Sequence, residues 1–485
     1  MIVVDPRRIT LCEEATLWLP QRPGTNVALA NGLLHVLLRD GLVNWPFVKA
    51  HTRGFEAVAE LVASHTPERV GEITGLAPEL IIRTAHLYGE AERAILLTGL
   101  GLDEHVQGTE GILAFLNLVL ATGNVGQPGT GILTLRGQNN VQGACDMGCL
   151  PYSLPGYQSL DDSAVRHKFA RAWGADLPAR PGLTSVGMWE AARRGKLHGL
   201  FVFGEDPLRT HADTTAVEEA IGALDFLVVQ DLFLTATARL AHVVLPAASF
   251  AEKSGTFTNT ERRLRLVNQA IPRLGAARPD WEVFAELSAR LGTPFPAATA
   301  AEVFAEMASL TPSFAGISHT RLNGDGLQWP CPYPGHPGTP RLYEGGFGST
   351  GASFTATEHR PPPVPEGYPL VLITGRRLHG FNNDAQAARS PLIPVEHRER
   401  LDIHPADARP LGMVSGDLAR ISSPRGHLMV RLHLTESQLP GTVFLAFHDP
   451  AVPVNRLLDS RDRDPFTETY SYKFVPVKVE KAGTV

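Results

Sequence analysis

The densest concentration of polar chemistry in the chain runs from Leu135 to Gly148, Leu-Arg-Gly-Gln-Asn-Asn-Val-Gln-Gly-Ala-Cys-Asp-Met-Gly. It sets Arg136, Gln138, Asn139, Asn140, Gln142 and Asp146 among glycines, with little bulk between them. Such a stretch buries little apolar surface, yet it offers many hydrogen-bonding groups and lets the backbone approach a ligand closely. A second set of candidates sits where short apolar runs end, at Gly99-Leu100-Gly101, Gly204-Glu205-Asp206-Pro207 and Gln230-Asp231. Strands that stop at glycine-rich or acidic turns place polar groups at the carboxyl edge of a sheet, where open α/β sheets bind ligands. The cysteines are Cys12, Cys145, Cys149 and Cys331, and none forms a Cys-x-x-Cys. Cys145 and Cys149 have a spacing that two metal ligands could share, but no other cysteine or close-spaced histidine completes a site, so no metal ligand is assigned.

These groups need a scaffold, and at 485 residues the chain is too long for one core; about two to four domains are expected. With 43% hydrophobic and 19% charged residues the composition is that of a globular protein and excludes wholesale disorder. A net charge of −6 argues against a nucleic-acid partner. The few scattered cysteines suit a reducing compartment. The opening Met-Ile-Val-Val-Asp-Pro-Arg-Arg lacks the apolar core of a signal peptide, and no apolar run reaches the length of a membrane span. The sequence therefore predicts a cytoplasmic protein with no membrane insertion.

Strand and helix signals alternate through the first half. Ile2, Val3 and Val4 read as a buried strand, and the chain thus opens inside an α/β unit, as though residues ahead of it were missing. Residues 26–39, 78–90 and 109–122 carry apolar residues at helical spacing, the last run ending at Gly123-Asn124. Between them Ala94–Thr98 reads as a strand, and after the polar segment Gly199–Phe203, Phe226–Val229 and Val243–Leu245 repeat the pattern around a helix at Ala216–Leu224. The alternation predicts parallel sheets covered by helices. Residues 271–365 are richer in Pro and Gly, with Pro361-Pro362-Pro363 as a linker. From Tyr368 onward short β-rich pieces, Leu370–Thr374, Leu418–Ser422, Leu428–Leu434 and Val443–Phe447, predict a compact β-barrel.

The Leu135–Gly148 segment, with Pro151, Gly156, Tyr157 and Gln158 after it, resembles the active-site segment of molybdenum formate dehydrogenases of the molybdopterin oxidoreductase family. Further pieces fall in the family's order: Asp5-Pro6-Arg7, Arg22-Pro23-Gly24-Thr25-Asn26, Thr122-Gly123-Asn124, Gly204-Glu205-Asp206-Pro207-Leu208, Val229-Gln230-Asp231 and Leu245-Pro246. So do Gly255-Thr256-Phe257-Thr258-Asn259, Arg278-Pro279-Asp280-Trp281 and Gln328-Trp329-Pro330-Cys331, the last resembling cytoplasmic formate dehydrogenases more than nitrate reductases. The resemblance implies two related parallel-sheet α/β domains, each binding a dinucleotide, followed by a C-terminal double-psi β-barrel. On that plan residues 1–138 are the first α/β domain, 139–270 a partial second, 271–365 a connection and 366–485 the barrel.

It also implies a cofactor, molybdenum bis(molybdopterin guanine dinucleotide), and a small anionic substrate, formate. Asp5 would take the guanine or ribose of one dinucleotide, since a carboxylate accepts two hydrogen bonds from a guanine edge. Gly99, Gly101 and Gln138 would lie along its pterin and phosphates. Gly204, Glu205, Asp206, Thr210, Asp231 and Asp280 would serve the other dinucleotide, and Arg376, Asn382, Asn455 and Lys473 would reach the pterins from the barrel. Arg136 is the candidate catalytic residue, because a guanidinium fork matches the paired oxygens of formate or nitrate. Taken singly, an aspartate in a turn is more often a helix cap or a solvated group.

The sequence also departs from the family. The four cysteines lie in none of the settings that ligate a [4Fe–4S] cluster or the molybdenum. The resemblance therefore implies a missing amino-terminal portion, or an electron-transfer subunit, that carries the cluster expected in the complete enzyme. Gly380 stands where many relatives carry a pterin-facing histidine, and Asn383-Asp384-Ala385 replaces a Thr-Gly-Thr-like turn. Two other readings stay open, a nitrate or other oxyanion reductase of the same family and a non-catalytic cofactor-binding or scaffold chain.

Overall fold

The computed structural model describes residues 1–295, 297–378, 380–391 and 399–482. The chain divides into two compact units, Met1–Thr134 with Arg209–Thr215 and Tyr343–Val485, and Leu135–Leu208 with Ala216–Leu342.

In the first unit β1 (Ile2–Val4) pairs in parallel with β2 (Leu17–Leu19). The turn Pro23-Gly24 leads into α1 (Asn26–Arg39), whose Leu29, Leu34 and Leu37 are fully buried. Helix α2 (Pro78–Gly89) starts with proline at its first position, where the missing N–H costs no hydrogen bond. Strand β3 (Ile95–Thr98) pairs in parallel with β4 (Gly131–Thr134), and α3 (Gly108–Thr122) crosses between them. Helix α3 stops at Gly123, whose φ of 69° is the left-handed cap that a side chain disfavours. These helices share one core with Phe55, Val58, Val62, Val70 and Phe354, each large side chain contributing about 1.5–3 kcal/mol of burial.

The second unit opens on α4 (Val141–Asp146), inside the polar segment. Its sheet is β5 (Gly199–Phe203), β6 (Phe226–Asp231) and β7 (Val243–Pro246), all parallel with β6 central. Helix α5 (Thr214–Gly222) covers one face through Val217, Ala220 and Ile221 against Val202, Leu227 and Val229. An antiparallel hairpin of β8 (Gly255–Thr258) and β9 (Arg263–Val267) extends to β10 (Leu327–Gln328). Residues 271–365, read from sequence as a connection, carry two regular helices in this unit, α6 (Asp280–Arg290) and α7 (Ala300–Leu310). A capping box of Thr299 and Glu302 starts α7.

The C-terminal part of the first unit is a closed six-stranded barrel. Its strands are β11 (Leu370–Gly375), β12 (Arg400–Ile403), β13 (Leu418–Ser422), β14 (His427–Leu434), β15 (Thr442–Ala446) and β16 (Val475–Lys481), in the order β11-β15-β12-β14-β13-β16. The β11/β15 and β12/β14 pairs are parallel and the other four antiparallel. Period-two burial along β14 points Leu428, Val430 and Leu432 inward. Among the described residues no helix is long and apolar enough to cross a membrane.

Candidate functional site

In the first unit, the ends of β1, β11 and β15 and the turn after β3 enclose a cavity of about 330 Å³. Its lining includes Asp5, Gln21, Gly101, His105, Arg376 and Lys473. Asp5 accepts the backbone N–H of Arg7 at 2.8 Å, and burial pushes its carboxyl above the usual aspartate range. Arg7 lays its guanidinium on the Phe444 ring at 3.5 Å and lies 3.8 Å from Asp402. The Lys473 ammonium lies 2.8 Å from the Thr374 carbonyl and 2.7 Å from the Glu104 carboxylate. Arg376 donates to Asn382 Oδ1 at 2.9 Å and packs over Phe447. Asn382 sits at φ 52°, a left-handed conformation that asparagine tolerates.

Several polar atoms around this cavity are buried and unpartnered, among them Gln21 Oε1, His105 Nδ1, Arg7 Nε and Arg376 Nε. Buried groups of this kind are ordinarily satisfied, so a wall that mixes orphan donors and acceptors suits a polar ligand. His105 uses its other nitrogen on the Gly101 carbonyl at 3.1 Å, and burial lowers its pKa to about 4, so the ring is neutral. An added Cβ at Gly99 or Gly101 would meet nothing within 4 Å, so neither glycine is forced by the chain's own packing.

Asn455 fastens the Arg209–Asp213 segment within the same unit. Its side-chain nitrogen donates to the Arg209 carbonyl at 2.7 Å, and its own carbonyl accepts from the Asp213 N–H at 3.0 Å. Tyr472 donates to the Thr210 carbonyl at 2.8 Å. Thr210 thus shares a compact unit with the barrel, apart from Gly204, Glu205 and Asp206 of the second unit.

In the second unit the polar segment is built around Asn140, which adopts φ 60° and accepts the Thr258 N–H at 3.0 Å. Gly143 is required there, since any Cβ would lie 2.0 Å from Asn140 Oδ1. Arg136 is exposed and donates to Gln142 Oε1 at 3.1 Å. Gln142 in turn donates to Asp146 at 2.9 Å and to the Tyr157 hydroxyl oxygen at 2.8 Å. Trp329 donates its indole N–H to the other Asp146 oxygen at 3.0 Å. Burial dominates at Asp146 and raises its carboxyl pKa against these hydrogen bonds. Gln138 is exposed. The two sequence motifs noted separately, Leu135–Gly148 and Gln328–Cys331, are therefore one hydrogen-bonded structure. No spacing in the sequence signals that link.

The acidic candidates of this unit differ among themselves. Asp206 is 3% exposed and its carboxylate accepts Thr237 N–H at 2.9 Å, Thr237 Oγ1–H at 2.6 Å and Ala236 N–H at 3.3 Å. It anchors the turn after β6. Asp231 accepts the Leu232 N–H at 2.6 Å, and Gly204 (φ 66°) and Glu205 are exposed beyond β5. Asp280 accepts from Gln230 at 3.1 Å and pairs with Lys253 at 2.7 Å, on the edge of a second, largely apolar cavity of about 380 Å³ that Asp146 also lines. Cys145, Cys149, Cys12 and Cys331 are unpaired thiols, and no group of three or more His, Cys, Asp or Glu able to hold a metal ion occurs among the described residues.

Residues 1–290 match the family model Molybdopterin oxidoreductase, and residues 370–476 match Molydopterin dinucleotide binding domain. The chain belongs to the molybdopterin oxidoreductase family. It is 40% identical over 489 residues to the F420-dependent formate dehydrogenase 2 subunit alpha of Methanococcus maripaludis, covering 99% of this chain and 72% of that one. It is 33% identical over 490 residues to formate dehydrogenase H of Escherichia coli, covering 99% and 68%. The assimilatory nitrate reductase catalytic subunit of Bacillus subtilis is 33% identical over 496 residues, at 99% and 70%. Acetylene hydratase from Pelobacter acetylenicus shares the fold, with a TM-score of 0.75 at 21% identity over 99% of this chain and 74% of that one. Family membership makes the chain an oxidoreductase component whose cofactor is molybdenum bis(molybdopterin guanine dinucleotide). The first-unit cavity, with its carboxylate, cations and orphan polar atoms, fits part of such a group.

Proposed function

We propose that the chain is the part of a formate dehydrogenase that cradles the pterins and meets the substrate. The observation that carries this reading is the first-unit cavity, where Asp5, Gly101, Arg376 and Lys473 converge among unpartnered buried atoms. The similarity to formate dehydrogenases along 99% of the chain supports the substrate. In this reading the barrel is of the double-psi type, and each α/β portion embraces one guanine dinucleotide.

When bound, the metal and pterins supply the redox chemistry, taking two electrons as formate becomes carbon dioxide and a proton. The chain's own residues bind and orient. Asp5 accepts from the guanine or ribose of one dinucleotide, while Arg376 and Lys473 offset negative charge from the barrel side. Asn382, which holds Arg376, and Asn455, which fastens the Arg209–Asp213 segment, reach the pterins from the barrel, and Gly99, Gly101 and Gln138 lie along the pterin and phosphates. Gly204, Glu205, Asp206, Thr210, Asp231 and Asp280 serve the second dinucleotide, Asp206 by shaping its turn. Arg136, steadied by Gln142, turns its remaining N–H groups to the two oxygens of formate. The four cysteines form no metal-ligating cluster among the described residues. In this reading the [4Fe–4S] cluster and the thiolate to molybdenum belong to a partner polypeptide.

The likeness to an assimilatory nitrate reductase favours one second reading, nitrate reduction at the same site. The test is molybdenum and pterin content of the chain made in a cofactor-competent host, then dye-linked assays after adding the cluster-bearing partner. Formate-driven dye reduction supports the reading. Turnover with nitrate alone would replace it with the second, and a chain devoid of pterin would overturn both.

A further inference from the structure

Gln21 of the first-unit cavity has no role in this reading so far. It is 5% exposed and lines the same cavity as Asp5. Its amide nitrogen donates to Asn26 Oδ1 at 2.5 Å, and the Asn26 amide nitrogen donates to the Gly101 carbonyl at 3.3 Å. A backbone carbonyl only accepts, so the chain of bonds has one direction. The Gly101 carbonyl fixes which Asn26 atom is nitrogen, Asn26 Oδ1 then fixes the Gln21 nitrogen, and Gln21 Oε1 is left as an acceptor. That oxygen is buried and has no partner. An orphan of this kind is costly unless a ligand supplies a donor.

Guanine and pterin share a 2-amino-4-oxopyrimidine edge with three N–H bonds, one on the ring and two on the amino group. A carboxylate engaging that edge bidentately takes the ring N–H and the nearer amino N–H. The second amino N–H then needs a separate acceptor. We propose that Gln21 Oε1 is that acceptor, and that it makes the first-unit cavity selective for a heterocycle bearing a 2-amino group. This rests on the reading of the cavity as a dinucleotide site.

The experiment uses the full chain purified from a host that makes no molybdopterin, titrated with GDP and with IDP, which lacks the 2-amino group. The wild-type chain is expected to bind GDP about 25- to 100-fold more tightly than IDP, the worth of the two hydrogen bonds its amino group makes to Asp5 and Gln21. Gln21→Met is expected to cut that preference about five- to tenfold, leaving the share of the Asp5 bond, with IDP affinity within about twofold and an unchanged melting temperature showing the fold intact. Gln21→Glu keeps an oxygen in place, and the GDP/IDP ratio is expected to survive any common loss of affinity. A Gln21→Met chain that keeps the full wild-type preference for GDP overturns the role of Gln21 alone, provided Asp5→Asn weakens both nucleotides. A chain that binds neither nucleotide, or binds them with Asp5→Asn as well as without it, overturns the cavity reading too.

Discussion

Asp5 and Asp206 both follow short parallel strands and are both proposed to serve a dinucleotide, yet their surroundings differ. Asp206 spends its oxygens on three donors of the turn after β6. Asp5 keeps one backbone donor and faces a cavity whose other polar atoms include unpartnered ones. The lesson is that a strand-end carboxylate divides its work between holding the turn and meeting a ligand, and the count of donors already engaged tells which dominates. In the second unit the same economy appears in Arg136, Gln142, Asp146 and Trp329, where one hydrogen-bonded row joins the polar segment to Trp329 and leaves Arg136 exposed at its end.

The largest effect expected from breaking this contrast is at Lys473. Lys473→Met removes one partner of a largely buried ion pair with Glu104 and strands that carboxylate, at a cost of about 3–5 kcal/mol. Urea unfolding is the measurement, and an unchanged midpoint would show that the pair does not anchor the cavity wall. His105 gives the next effect through pH. Its folded pKa of about 4 lies below the ordinary histidine value of 6.5, so the unfolded chain binds the proton more tightly. That stability is fully present above pH 6.5 and is lost as pH falls toward 4, by about 3 kcal/mol. His105→Phe should flatten this part of the stability–pH curve.

Asp206→Ala should destabilise by about 2 kcal/mol by leaving the Thr237 and Ala236 donors unpaired. GDP affinity at the first unit should be untouched. The smallest effect sharpens the comparison from the other side. Burial raises the Asp5 carboxyl pKa, so the folded chain favours the protonated form and loses stability as pH rises through the folded value. Asp5→Asn should therefore raise the melting temperature slightly at pH 7, with no gain in acid, while weakening guanine-nucleotide binding. A lower melting temperature at pH 7 would mean that Asp5 is structural, like Asp206.

The regular elements that bury a continuous apolar face were legible in the sequence. Helices α1 and α3, strands β5 to β7 and four barrel strands were all visible as runs of Leu, Val and Ile. The barrel strands β12 and β16 were not. Arg400 and Asp402 in one and Pro476, Lys478 and Glu480 in the other break the apolar pattern, and only closure of the barrel makes them strands. Gln21 was illegible for a different reason. One glutamine after a proline carries no signal until the fold sets Asn26 and Gly101, 75 residues apart, into the same row of hydrogen bonds.

The central claim is that the first-unit cavity holds a pterin guanine dinucleotide through Asp5. It is tested most directly by oxidising the purified chain from a cofactor-competent host and quantifying the fluorescent pterin released, for wild type, Asp5→Asn and Asp206→Asn. The account predicts bound pterin in the wild type, a marked loss in Asp5→Asn, and a smaller loss in Asp206→Asn that follows its lowered stability. Equal pterin content in wild type and Asp5→Asn would contradict it.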